Sequence, residues 1–371
     1  MKKILNREQL SDPNWKEGVT WEIHATTACN LQCTYCYNRD KQYGAADPVY
    51  SVEELVAFFK KYSKKGDYVS FMGGEPLIRK DWISGVIAAT ENFGFEYEVY
   101  TNGINIGELS PDFVNKFNAV LISVDGDEEQ NDRSRGKGVF SKIIQNLKTV
   151  RSYYQGTIIA RMTITGANDL EKSLKAILSL PYFDMVYWQY ENHEPPADYP
   201  VEKKWKELKG VLELWMENLK QGRVLPVQTF LSVTARLLNQ ENYQVVDYSL
   251  PPCTLACGAG HHYIQIATTG DIYACPEIIE QDNNLMGNIR EGIFRRIDLK
   301  AFSNTHKCYG CPEFEICHCR CIHCTPDVYC TLIKRVISAL RKEVPAIKEM
   351  IDSGRLNKED FHFKEQMEEM F

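Results

Sequence analysis

Ala28-Cys29-Asn30-Leu31-Gln32-Cys33-Thr34-Tyr35-Cys36-Tyr37 is the stretch on which the reading of this chain turns. Three cysteine thiolates are one short of the four that close a four-iron cluster or a structural zinc site, so the spacing leaves one metal corner open to an outside ligand. An open corner points to chemistry rather than to scaffolding. Val19-Thr-Trp-Glu-Ile23, just upstream, reads as a strand that delivers the loop.

From Val19 to about Leu180 short apolar runs alternate with helix-like segments, the pattern of βα units around a parallel sheet. Ser51 to Tyr62 carries Val52, Leu55, Val56 and Phe59 on one helical face, with Ser51 as N-cap and Glu54 completing a capping box. Further strands at Tyr68 to Phe71, Tyr97 to Tyr100, Ala119 to Val124, Gly156 to Thr163 and Met185 to Tyr190 make six in all and predict an α/β partial barrel. In parallel barrels the loops after the strand C-termini build the active site. Those loops here hold the cysteines, Met72-Gly73-Gly74-Glu75-Pro76, Thr101-Asn102-Gly103 and Asp125-Gly126. Residues 200–240, with Trp205, Leu208, Val211, Leu212, Leu214, Trp215 and Leu219, read as an amphipathic helix and a connector. After Pro251-Pro252 the texture turns cysteine-rich and irregular, and helical periodicity returns from Thr331.

The balance of the chain bounds its class. Its 371 residues, 44% hydrophobic and 25% charged, suit a soluble protein of one large and one smaller domain. A net charge of −7 argues against nucleic acid as a partner. No apolar run reaches the roughly 18 residues of a membrane span, and the polar start Met-Lys-Lys-Ile-Leu-Asn-Arg-Glu lacks a signal-peptide core, so a cytoplasmic location with no membrane partner is expected. The 13 cysteines fall in two blocks, 29–36 and 253–330, which reads as metal binding in a reducing compartment rather than as disulfides.

The cysteine run, with an aromatic residue just before its third cysteine, resembles the cluster loop of the radical S-adenosylmethionine (SAM) enzymes. In that family the open iron binds the amino and carboxylate groups of SAM, and one electron cleaves it to a 5′-deoxyadenosyl radical. The resemblance assigns Gly73, Gly74 and Glu75 to the SAM amino group, although a plain turn accounts for them equally well. Ser123-Val-Asp-Gly126, then Asp132-Arg-Ser-Arg-Gly136, is similar to the family's fourth-strand signature; it puts Ser123 against SAM and Arg135 on its carboxylate, with Arg133 as the rival guanidinium. Tyr35 flanks the adenine or simply packs.

Cys253-x3-Cys257, Gly270-x4-Cys275, Cys308-x2-Cys311-x5-Cys317-x3-Cys321 and Cys330 match in order and spacing the SPASM extension of this family. The resemblance implies two auxiliary four-iron clusters, one on Cys253, Cys257, Cys275 and Cys321 and one on Cys308, Cys311, Cys317 and Cys330, so three [4Fe-4S] clusters with the loop. Zinc is the alternative for the Cys-x2-Cys pair. Cys319 and Cys324 are left over, each able to replace a ligand, to act in catalysis or to stay an inert buried thiol. The implied architecture is a radical SAM partial (β/α)6 barrel over 15–240, a SPASM domain over 241–335 and a helical extension over 336–371.

By the same resemblance the reaction is a net two-electron oxidation of a ribosomal peptide or protein side chain, forming a thioether, C–C or C–O cross-link or a dehydrogenated product, with the auxiliary clusters accepting the electron. A donor such as flavodoxin or ferredoxin is implied. Cys29 leaves no room ahead of the barrel for the peptide-binding domain of many peptide maturases, so a leader peptide would need a separate binding protein or direct docking. The residue after Cys275 is Pro276, not the aspartate of the sulfatase-maturing branch, which leaves Glu277 as a substitute base. Glu191 and His193, at the end of the sixth strand, are the other proton-transfer candidates; Gln189 and Glu191, or Trp188 and Tyr190, face inward. Dehydrogenation of a small molecule such as an amino-sugar is the alternative activity. A non-catalytic iron–sulfur or zinc protein is the third.

Overall fold

The structure is a computed structural model that describes residues 4–10, 18–38, 44–191, 195, 197–241, 255–279, 281–297, 308–319, 321 and 327–361. His193, Cys253 and Cys324 lie outside the described residues. The strands are β1 (Thr20–Thr26), β2 (Tyr68–Gly73), β3 (Glu96–Thr101), β4 (Ala119–Ser123), β5 (Thr157–Ile164), β6 (Met185–Tyr190), β7 (Tyr263–Ile266), β8 (Asp271–Tyr273), β9 (Leu285–Asn288) and β10 (Gly292–Ile293). The first six stand at the sequence-read positions, shifted by at most a few residues. By its internal contacts the chain forms two compact units, one of Met1–Ser123, Asp132–Ile159 and Gly258–Leu299, the other of Val124–Asn131, Ala160–Cys257 and Lys300–Phe371.

In the first unit β1 to β4 run parallel in sequence order, with Glu22 opposite Ser70 and Ser70 opposite Glu98. All seven residues of β1 are buried, as in a strand covered on both faces. One face is apolar: Trp21 meets Phe58 and Phe59 edge-on at ring distances of 5.5 and 6.0 Å. The other carries Thr20, Glu22 and His24. The helix Val52–Tyr62 that covers the apolar face has the capping box read from the sequence, and it buries Leu55, Phe58, Phe59 and Tyr62.

The sequence reads 241–335 as one irregular, cysteine-rich segment, but residues 263–293 extend the same sheet. β7 pairs parallel to the free edge of β1, Thr20 opposite Tyr263 and Glu22 opposite Gln265, and β8, β9 and β10 follow in antiparallel order. These strands are two to four residues long, too short for an alternation to show. The pairing has an internal tie: the Tyr263 hydroxyl lies 2.5 Å from Glu22 Oε2, both residues buried.

In the second unit β5 from Ala160 onward runs beside β6, and the helices Leu170–Leu178, Val201–Lys220, Gln228–Gln240 and Asp327–Asp352 pack with them. The sequence's helix and connector at 200–240 are two helices, the second buried along nearly its whole length. The last long helix begins at Asp327 rather than after Cys330, which places that cysteine in its first turn.

Replacing Tyr263 by Phe removes the hydroxyl from a buried carboxylate and is expected to cost about 1.5–3 kcal/mol. Denaturant unfolding checks this: the midpoint should fall at an unchanged slope, and an unmoved midpoint would count against the tie between β7 and β1.

Candidate active site and metal centres

The loop after β1 is held to the loop after β2 first through the backbone. The amides of Gly74 and Glu75 donate to the carbonyls of Thr26 and Ala28, both at 2.8 Å. A Cβ on Gly73 would stand 2.0 Å from the Thr26 carbonyl oxygen, and one on Gly74 2.2 Å from that of Ala28; Gly73 also has φ +132°. The glycine pair therefore permits close approach of one backbone to another, that of the cysteine loop. Asn38 closes the far side of the loop by donating to the Gly73 carbonyl at 2.8 Å.

Glu75 is fully buried. Its Oε1 accepts from the Thr101 hydroxyl at 2.7 Å and the Leu77 amide at 3.1 Å, and its Oε2 accepts from the Asn102 amide at 2.7 Å. The carboxylate thus clasps the loop after β3 to the loop after β2. Burial pushes its pKa up to about 7, against the pull of these three donors. Asn102, which as part of a Thr-Asn-Gly turn carries little signal in sequence, is brought to the cysteines by this clasp. Its Nδ2 donates to Asn30 Oδ1 at 2.7 Å and lies 3.8 Å from the Cys29 sulfur.

Cys29 is exposed, Cys33 and Cys36 partly so. Partial desolvation of the Cys29 sulfur pushes its thiol up; the Leu31 amide, donating at 3.4 Å, and Asn102 oppose that shift, while Glu75 and Cys36 add to it. Amide donors aimed at a sulfur favour thiolate once a metal is bound. Three such thiols on one loop, reachable from outside, fit a cluster with one open corner.

Ser123 ends β4, half-buried. Arg133 is exposed, whereas Arg135 is buried with its guanidinium carbon 5.5 Å from the ring centre of Tyr35. The Thr34 amide donates to the Ser134 carbonyl at 2.9 Å, which joins the cysteine loop to the helix Glu128–Arg135 at this point. The structure so separates the two arginines that spacing left as rivals, and it sets Arg135 beside the aromatic residue of the loop.

In the second unit Cys308, Cys311, Cys317, Cys319 and Cys330 line one cavity of about 120 Å³. Burial, followed by Cys330 and Cys308, pushes the Cys317 thiol up to about 12, and Arg236, which donates to the Ile316 carbonyl at 2.7 Å, pulls it down. Among the described residues no three His, Cys, Asp or Glu side chains stand close enough to hold one metal ion. Five thiols on one cavity are enough donors for a four-cysteine site. Of the other expected set, Cys275 lies buried in the first unit, its amide bonded to Asn284 Oδ1 at 3.0 Å, while Cys257 and buried Cys321 belong to the second.

Glu277 is buried in the short turn Pro276–Ile278 beside Cys275. Glu191 follows β6 in the second unit, half-buried, its amide bonded to the Ile164 carbonyl at 3.0 Å. The two faces of β6 divide cleanly. Trp188 meets Phe230 and Tyr190 stacks on Tyr329 at 4.4 Å, while Tyr187 and Gln189 hold the Arg161 guanidinium at 2.7 and 2.6 Å. The aromatic pair is helix packing, and the polar face belongs to Gln189.

Residues 23–177 match the family model of the Radical SAM superfamily. Over most of its length the chain is also similar to a cysteine-type anaerobic sulfatase-maturating enzyme of Clostridium novyi, 24% identical across 80% of this chain and 86% of that protein. The mycofactocin maturase MftC of Mycolicibacterium smegmatis is 27% identical across 82% and 77%. Among solved structures, native anSMEcpe with bound AdoMet superposes with a TM-score of 0.71 at 18% identity, covering 90% of this chain and 99% of that one. SuiB of Streptococcus suis gives 0.58 at 14%, covering 81% and 72%. These likenesses show the fold.

Glu75 carries a pH signature. Its folded pKa of about 7 exceeds the unfolded value of 4.5, so its contribution to stability is complete below about 4.5 and is lost as pH rises through about 7. Anaerobic unfolding across that range should show the wild type losing about 3 kcal/mol that Glu75→Gln does not lose. Parallel profiles would contradict the burial of an ionisable clasp.

Proposed function

We propose that this chain, whose residues 23–177 form a radical SAM domain, is an oxidative maturase of a ribosomal peptide or protein side chain. The observation that carries the reading is the presence of two unlike thiol sets, a partly exposed loop of three cysteines and a cavity lined by five. The first suits a metal that takes an outside ligand, the second a closed cluster. Relatives matched along about four-fifths of the chain carry maturase names, which supports a peptide or protein as substrate.

In this reading Cys29, Cys33 and Cys36 hold the first cluster. Arg135 pairs with the SAM carboxylate through its planar fork, which Tyr35 keeps in place, and Ser123 lies at the adjacent strand end. Glu75 acts one step removed: it fixes Asn102 and the glycine turn, and through them the shape of the cysteine loop. Cys308, Cys311, Cys317 and Cys330 hold one auxiliary cluster, and Cys253, Cys257, Cys275 and Cys321 the other. When bound, these groups supply one-electron chemistry that removes a hydrogen atom from a substrate carbon and take up the electron that an oxidised product leaves behind. Glu191, His193 and Glu277 are the residues that would move the accompanying proton; Pro276, in place of the aspartate of the sulfatase-maturing branch, counts against that activity and leaves Glu277 as a substitute base. A flavodoxin or ferredoxin would supply the first electron in the cytoplasm.

Anaerobic reconstitution should load about twelve irons per chain and release 5′-deoxyadenosine on reduction. A variant with Cys29, Cys33 and Cys36 all changed to Ala should keep about eight irons and lose that release; zinc in place of iron, with no SAM cleavage, would overturn the reading. Arg135→Lys should weaken SAM binding about tenfold, since an ammonium cannot make the two-pronged contact. Arg133→Lys should leave it unchanged, and equal effects of the two in a binding titration would remove Arg135 from the site.

A further inference from the structure

A four-iron cluster takes four cysteine sulfurs, yet five cysteines line the cavity in the second unit. The fifth, Cys319, is no bystander at the rim: it is 2% exposed, against 9% for Cys308. The short helix Phe314–Cys317 ends at His318, whose φ of +50° is followed by +59° at Cys319. Two successive non-glycine residues in the left-handed region are unusual and costly, and here they turn the chain so that Cys319 returns to the cavity that Cys317 has just entered. The turn and the residues leading into it are tied down within the unit, the His318 carbonyl by the Ala256 amide at 3.1 Å and the Ile316 carbonyl by Arg236 at 2.7 Å. The Cys319 sulfur lies 3.8 Å from the Cys321 carbonyl oxygen, and Cys308 lines the same cavity.

We propose that Cys319 is a reserve ligand of the auxiliary site, placed to take the iron corner of Cys308 when that sulfur is lost. The proposal rests on the reading of Cys308, Cys311, Cys317 and Cys330 as cluster ligands. Because both side chains already line the one cavity, the exchange takes place inside it. It is redox-neutral: the Cys308 iron–sulfur bond breaks as the Cys319 bond forms, and the proton that the Cys319 thiol gives up balances the one the departing Cys308 thiolate takes up.

Iron analysis and the electron paramagnetic resonance spectrum of the reconstituted full chain, for a set of variants, provide the test. Cys308→Ala should keep the iron content of the wild type, because Cys311, Cys317, Cys330 and Cys319 still make four. Cys319→Ala should also keep it, and the double variant should lose about four irons per chain while the irons and spectrum of the Cys29 loop persist as the sign of a folded protein. If Cys308→Ala alone loses as much as the double variant, Cys319 is no reserve ligand. Loss in Cys319→Ala alone would make it a permanent ligand and also overturn the proposal. The underlying reading fails separately, if changing Cys308, Cys311, Cys317 and Cys330 together leaves the iron content at the wild-type value. Should Cys308→Ala fail to fold, Cys308→Ser with and without Cys319→Ala gives the same comparison with a smaller change in volume.

Discussion

The close approach of Gly73 and Gly74 to the carbonyls of Thr26 and Ala28 is the constraint on which the first unit's site depends. Two parallel strands already set β1 and β2 side by side, but sheet pairing ends where the cysteine loop begins. From there the two amide-to-carbonyl bonds carry order outward, and they require a backbone without side chains. Glu75, the next residue, passes that order on to Asn102. A chain of short contacts thus runs from sheet to glycine turn to carboxylate to the residue beside Cys29, and each link lies within one compact unit.

The carboxylate in this chain is an instructive choice. A buried glutamate with a pKa near 7 is costly to ionise, and an amide could accept some of the same bonds. An ionised carboxylate, however, accepts at all its lone-pair sites without offering a donor, so it can hold Thr101, Leu77 and Asn102 together. The polar face of β1 shows a related economy: Glu22 lies between Tyr263 on one neighbour and His24 along its own strand.

Much of this was open to sequence reading because it rests on local physics. Six strands announced themselves as apolar runs between helical segments, and the Ser51–Glu54 capping box fixed a helix start from two side chains. The cysteine spacings singled out Cys308, Cys311, Cys317 and Cys330, which line one cavity. What stayed hidden depends on long-range pairing. The strands at 263–293 are too short to show a period, and nothing local tells Tyr263 that Glu22 waits for its hydroxyl. Arg133 and Arg135 are told apart by burial and by the Tyr35 ring beside Arg135, which two positions on a helix do not reveal. Asn102 sits in a sequence typical of any turn, and Cys319 in a run where every second or third residue is a possible ligand; its left-handed backbone is the signal, and it belongs to the structure alone.

The central claim is that the loop of Cys29, Cys33 and Cys36 leaves one iron corner for SAM. Electron–nuclear double resonance of the reduced protein with SAM labelled at its amino nitrogen tests this most directly. A nitrogen coupling that vanishes when the three cysteines are changed is the predicted result. A fully iron-loaded protein that shows no such coupling with saturating SAM would contradict it.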